Sequence, residues 1–195
     1  MTILDAAIPM FASAGFDKTR MSDVAASVGV TEPVIFQNFG TKAELFGAAL
    51  ERVADQAAAS LSDHAAEHPN VCDWLADLLS PEHLDRLHTS PMFGVLFADA
   101  HRLQVDPDVS AALERSIALV AEAMAAIVRR GQDEGSVRAD VPALTLAWLV
   151  VSLIQARQFR RTYTSDRSGA LERDLLARTI DTLRPQSPRG SRSQR

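Results

Sequence analysis

Two histidines, His64 and His68, stand four residues apart with Glu67 beside them. On a helix that spacing puts two imidazoles on one face, where a metal ion could be held. His83 and His88 are five apart, which on a helix turns them about 140° away from each other, so only a loop would join that pair. Both stretches are polar and close to expected helix ends, and solvated surface histidines are the better reading. The other residues that could do chemistry lie in "VGVTEPVIFQNFGTKAELF", residues 28–46, where Glu32, Gln37 and Asn38 interrupt Val34, Ile35 and Phe39. A carboxylate can accept from a cytosine amino group, and a side-chain amide can pair with adenine. Lys42 follows directly and can hold a phosphate, which fixes register without reading sequence.

Those side chains need a scaffold, and the chain supplies helices. Leu4, Ala7, Ile8 and Phe11 follow helical spacing, with Thr2 as cap and Gly15 as stop; Pro9 inside the run predicts a kink. A second helix is expected from about Met21 to Val28, ending at Gly29. A third is expected from Glu32 to Phe39, capped by Thr31, with Pro33 tolerated in its first turn. Thr41 and Glu44 form a capping box that opens a long fourth helix. After "DHAAEHPN" the segments become longer and more apolar, at about 71–80, 91–104, 109–131, 141–161 and 170–183. Leu113, Ile117, Val120, Met124 and Ile127 make a buried stripe. The segment from Pro185 onward has no apolar face and reads as a disordered basic tail. No strand pattern appears, and the fold class is all-α.

Bulk properties narrow the function. The chain has 195 residues, 47% of them hydrophobic, and a net charge of −5. It is long enough to bury a core, and it has no global pull towards nucleic acid, so a DNA-binding role must rest on a local surface. The single cysteine, Cys72, excludes an internal disulfide and suits a cytoplasmic location; it adjoins an apolar run and is expected to be buried and inert. No signal peptide or membrane span is expected. There is no HExxH, no nucleophile with a paired base and no cofactor fingerprint, so neither an enzyme nor a cofactor is expected. An all-helical metal-binding protein or enzyme using His64 and His68 stays as the alternative.

A helix, a short turn at Gly29 and a second short helix form a helix-turn-helix, with Ala25 allowing close crossing and Val24, Val28, Val30 and Ile35 filling the angle. "GFDKTRMSDVAASVGVTEPVIFQNFGTKAELF" resembles the DNA-binding domain of the TetR family of bacterial transcriptional regulators. A weaker echo, "GSVRADVPALTLAWL", is similar to the turn that opens the dimerisation helices of that family. The resemblance implies a homodimer that binds palindromic double-stranded operators and releases them when a small molecule enters the C-terminal domain. The DNA-facing set is Lys18, Thr19, Arg20, Ser22, Thr31, Glu32, Pro33, Val34, Phe36, Gln37, Asn38 and Lys42. Two positions depart from the family, which usually has Tyr at Phe36 and His at Asn38. Phe36 has no hydroxyl for a phosphate, whereas Asn38 can still donate. Residues 1–46 carry three cations against five carboxylates, so few phosphate contacts are expected.

The domain division that follows is 1–48 for DNA binding, 49–184 for ligand binding and dimerisation, and 185–195 for the tail. Large apolar side chains with a few polar tips make a ligand cavity between bundle helices. Trp74, Met92, Phe93, Phe97, His101, Met124, Trp148 and Gln155 are the candidates, and their few charges favour a mostly apolar effector. Arg157, Arg160 and Arg161 are expected as a solvated cluster at a helix end.

Overall fold

The computed structural model describes residues 2–89, 91–164 and 169–186, and the side chains of all of these except 87–89, 91–95 and 158. Among the described residues the elements are α1 (Ile3–Lys18), α2 (Met21–Val28), α3 (Glu32–Phe39), α4 (Lys42–Ala66), α5 (Val71–Leu78), α6 (Pro81–Thr89), α7 (Pro91–Arg102), α8 (Pro107–Asp133), α9 (Ala143–Gln155), α10 (Arg157–Tyr163) and α11 (Ala170–Leu183). None of them is long and apolar enough to cross a membrane. The expected all-helical fold is the one observed.

Helix starts follow their caps. The Asp5 amide donates to the Thr2 hydroxyl (3.2 Å), and the Thr2 amide donates back to the Asp5 carboxylate (2.9 Å). Thr41 and Glu44 repeat this reciprocal pairing at 2.7 and 3.0 Å. Asp106 accepts from the amides of Asp108 and Val109, opening α8.

Several expectations need correction. Pro9 keeps helical dihedrals; the break in α1 falls instead at Gly15, with φ 80° and ψ 169°. Pro9 is exposed, so the Asp5 carbonyl that it leaves unbonded stays within reach of water. The helix expected over 141–161 is two helices, α9 and α10, divided at Ala156 (ψ −1°). Just beyond the break, Arg157 is buried and its Nε donates to Glu172 of α11 at 2.7 Å, so it does not belong to a solvated cluster. The helix α6 was not expected from the sequence. The alternative that seats His64 and His68 on one helix loses its scaffold, because α4 ends at Ala66, before His68.

The described chain forms two compact units. The first comprises Met1–Ser60 and Asp85–Val120, so α1 to α3 share a core with the first part of α4, with α7 and with the first part of α8. Phe11, Ile35, Leu45, Phe46, Leu50 and Leu96 are fully buried there, and the Phe11 and Phe46 rings meet edge to face with centroids 5.0 Å apart. The second unit comprises Leu61–Leu84 and Ala121–Arg195, and is built around Val71, Leu75, Leu79, Met124, Val128, Val150 and Leu183. The helices α4 and α8 contribute residues to both units.

Candidate nucleic-acid interface

The helix-turn-helix is assembled from its apolar positions. Val24, Ala25 and Ile35 are buried between α2 and α3, and Val28 and Val30 are partly covered. Gly29 adopts a left-handed conformation (φ 73°, ψ 27°), which an L side chain would strain, and the Val30 amide donates to the Ala25 carbonyl at 3.0 Å. With Ile35 at 0% exposure, helical geometry turns Pro33 and Gln37 to the opposite side of α3, and both are exposed. Phe36, 42% exposed, flanks them on one side and the partly covered Val34 on the other. Glu32 and Asn38 are exposed beside the buried edge.

The N-terminus of α3 differs from expectation. Thr31 occupies the cap position with extended backbone, but its hydroxyl makes no capping bond. Pro33 has no amide hydrogen and the Val34 amide donates to the Thr31 carbonyl at 3.0 Å, so the Glu32 amide is the remaining first-turn donor. The Thr31 hydroxyl and the Glu32 amide are thus the donors that capping leaves uncommitted at this end of α3.

Lys18, Arg20 and Ser22 are exposed at the join of α1 and α2. Thr19 is 4% exposed, and its hydroxyl donates to the Gly15 carbonyl at 2.8 Å, so its one donor is committed to closing α1. Asn38 folds back, its Nδ2 donating one hydrogen to the Val34 carbonyl at 2.7 Å, which leaves the second amide hydrogen as its remaining donor. Lys42 is also engaged. Its Nζ lies 4.6 Å from the centre of the Phe16 ring and donates to the Asp17 carbonyl at 3.2 Å. Burial lowers its pKa from the ordinary lysine value, and the Asp17 charge opposes that shift.

Two further residues belong to this region. Across the Gly15 break, the Phe16 amide donates to the Asp99 carboxylate of α7 at 2.6 Å. Arg102, one turn along α7, pairs with Asp17 at 2.8 Å and with Asp99 at 3.3 Å. Gly15 signalled a helix break and hence an amide in need of a partner. Nothing local told which carboxylate, more than eighty residues on, would supply it.

The pocket candidates do not emerge as one wall. Trp74 and Met124 are packed in the core of the second unit. Phe97 is half-buried against the core of the first unit, and His101 is exposed with its Nδ1 3.1 Å from Gln104 Nε2. Trp148 and Gln155 are exposed, while the Met92 and Phe93 side chains lie outside the described residues. A groove of about 360 Å³ in the second unit is lined by other residues, among them Leu79, Pro81, Leu176 and Ile180 with Arg173 and Arg184. Among the described residues no cluster of three or more His, Cys, Asp or Glu could hold a metal ion. Cys72 is buried, as expected.

Comparison with known proteins agrees with this geometry. Residues 3–49 match the family described as "Bacterial regulatory proteins, tetR family", and residues 94–185 match "Transcriptional regulator SbtR-like, C-terminal domain". The HTH-type transcriptional repressor Rv1474c of Mycobacterium tuberculosis is 30% identical over 142 residues, covering 72% of this chain and 70% of that protein. A transcriptional regulator from Saccharomonospora viridis, crystallised with choline, superposes with a TM-score of 0.68 at 19% identity, over 94% of this chain and 96% of that one. FadR from Bacillus subtilis, crystallised with stearoyl-CoA, superposes with a TM-score of 0.67 at 15% identity, over 93% and 97%. At these identities the structural likeness establishes the fold alone.

Proposed function

This chain belongs to the TetR family of DNA-binding transcriptional regulators, which are not enzymes, and from that premise we propose that it is a ligand-responsive repressor acting as a homodimer. The observation that carries the reading is α3: Ile35 anchors it in the core while Pro33 and Gln37 stand on its open side. A helix held by one face and exposed on the other is the form that enters a major groove. The DNA-facing set is then Lys18, Arg20, Ser22, Thr31, Glu32, Pro33, Val34, Phe36, Gln37, Asn38 and Lys42, with Thr19 supporting from within. The functional division places DNA binding in residues 1–48 and effector binding and dimerisation in 49–184. A cytoplasmic location accords with the free Cys72.

Repression is supported by the related mycobacterial repressor, and an effector by the two structural neighbours crystallised with small molecules. Those two ligands differ greatly in chemistry, so they support a bound effector without fixing its class. The mostly apolar character proposed here rests only on the residue types of the candidate set, in which His101 alone can carry a charge. It does not rest on a shared cavity, since the structure does not gather that set into one wall.

The test is a gel shift with the DNA flanking its own gene. The protein should retard a fragment containing an inverted repeat, and apolar small molecules should release it where charged ones do not. Equal retardation of every fragment would defeat the operator reading.

A further inference from the structure

The break in α1 leaves a piece of the DNA-binding surface without helical support. Gly15, at φ 80°, takes the chain out of the helix, so residues 16–18 form an isolated terminal turn that leads within two residues to Arg20, the cap position of α2. Lys18, Arg20 and Ser22 all hang on that turn. Its first amide, that of Phe16, is held by Asp99 of α7 at 2.6 Å. The other Asp99 oxygen is held by Arg102, which also reaches Asp17 at 2.8 Å. Lys42 of α4 also donates to the Asp17 carbonyl, at 3.2 Å. A Cβ on Gly15 would stand 3.0 Å from the Asp99 carboxylate, so the carboxylate fits against the bare glycine.

We propose that Asp99 is a positioning residue for operator binding: its carboxylate, oriented by Arg102, caps the terminal turn of α1 and so fixes the place of Lys18, Arg20 and the start of α2. This rests on the DNA-binding reading above. Asp99 touches no DNA itself; it acts through the Phe16 amide. A charge-assisted bond to a backbone amide is stronger than a neutral one, and the side chain of Asp99 is only 19% exposed, so water replaces it poorly. Asn keeps an acceptor oxygen for the amide, whereas Ala removes it.

The experiment uses the full chain with Asp99→Ala, Asp99→Asn and Arg102→Ala. In the free protein, hydrogen exchange at the amides of residues 16–22 should accelerate in Asp99→Ala, and be largely restored in Asp99→Asn. Operator affinity should fall about tenfold in Asp99→Ala, with a smaller loss in Asp99→Asn. Arg102 is exposed, so its Ala variant is expected to fold; about a threefold loss of affinity is expected, and it carries the test if Asp99→Ala does not fold. Exchange at residues 16–22 unchanged in both Ala variants, or operator affinity unchanged in both, would overturn the proposal. If the wild-type chain retards no DNA, the functional reading fails, and the exchange data alone still decide whether Asp99 holds the turn.

Discussion

At the scale of single residues, Gln37 and Lys42 are expected to behave differently in kind. Gln37 stands on the open side of α3, diametrically across from the buried Ile35, and on the proposed reading its amide pairs with one base. Gln37→Ala should cost roughly 1–3 kcal/mol on the preferred operator and relax selection at one base pair of each half-site. An array of operator variants measures this, and equal weakening on every sequence would remove Gln37 from the reading face. On the same reading Lys42 holds a phosphate and so carries no sequence information. Its ammonium rests on the Phe16 ring and the Asp17 carbonyl, so it can serve a phosphate and the α1 turn together. Lys42→Ala should weaken all sequences alike and lower the salt slope by about one. A uniform loss with the slope unchanged would make Lys42 a clamp on α1 and nothing more.

At the scale of elements, local chemistry decided what the sequence could reveal. The bounds of α2 and α3 and the start of α4 were legible because glycines and capping residues act within four positions. The α9 to α10 break was not, since the buried Arg157 beside it pairs with Glu172, fifteen residues on in a different helix. The partner of the Phe16 amide was hidden for the same reason. Within the DNA-facing set, Thr19 could be placed by type but not by burial, because a threonine beside a break serves phosphate or carbonyl equally well on paper. The helix α5 offers an element-scale prediction. Its first amide, Val71, donates to Glu134 at 2.7 Å, and the Ser136 hydroxyl donates to the same carboxylate at 2.6 Å. The Ser136 bond first, then the Val71 bond, lowers the Glu134 pKa from its ordinary value of 4.5. A carboxylate with a lowered folded pKa stabilises the fold above the unfolded value, and that contribution is lost as pH falls through the folded one. Glu134→Gln should therefore narrow the stability difference between pH 7 and pH 3, by a small amount because the group is mostly exposed. Urea unfolding at the two pH values checks it, and an unaltered pH dependence would show that these bonds do not select the charged form.

At the scale of the whole molecule, the question is what covers the last helices. Val151 of α9 and Ile180 of α11 are buried within their own unit, which narrows the face left for a partner. What stays open is apolar nonetheless: Leu144, Trp148 and Leu149 on α9 are each about 40% exposed, and Leu171 on α11 is 55% exposed. Leu144 and Trp148 are one helical turn apart and form a ridge, and an indole left in water forgoes one of the larger burial gains available to a side chain. A second copy presenting the same ridge would bury both, in the manner of an isologous interface built from paired helices. Dimerisation also bears on DNA binding. One recognition helix contacts a single half-site, and linking two makes the second contact intramolecular, raising affinity well beyond that of either alone. Trp148→Glu should therefore do two things together: shift sedimentation from dimer to monomer at micromolar concentration, and reduce affinity for the full palindrome to nearly that for one half-site. The exposed position of Trp148 makes the variant compatible with a folded monomer, which far-ultraviolet circular dichroism would verify. A wild-type chain that sediments as a monomer would refute the interface outright, and a Trp148→Glu dimer that still prefers the palindrome would move it to a different face.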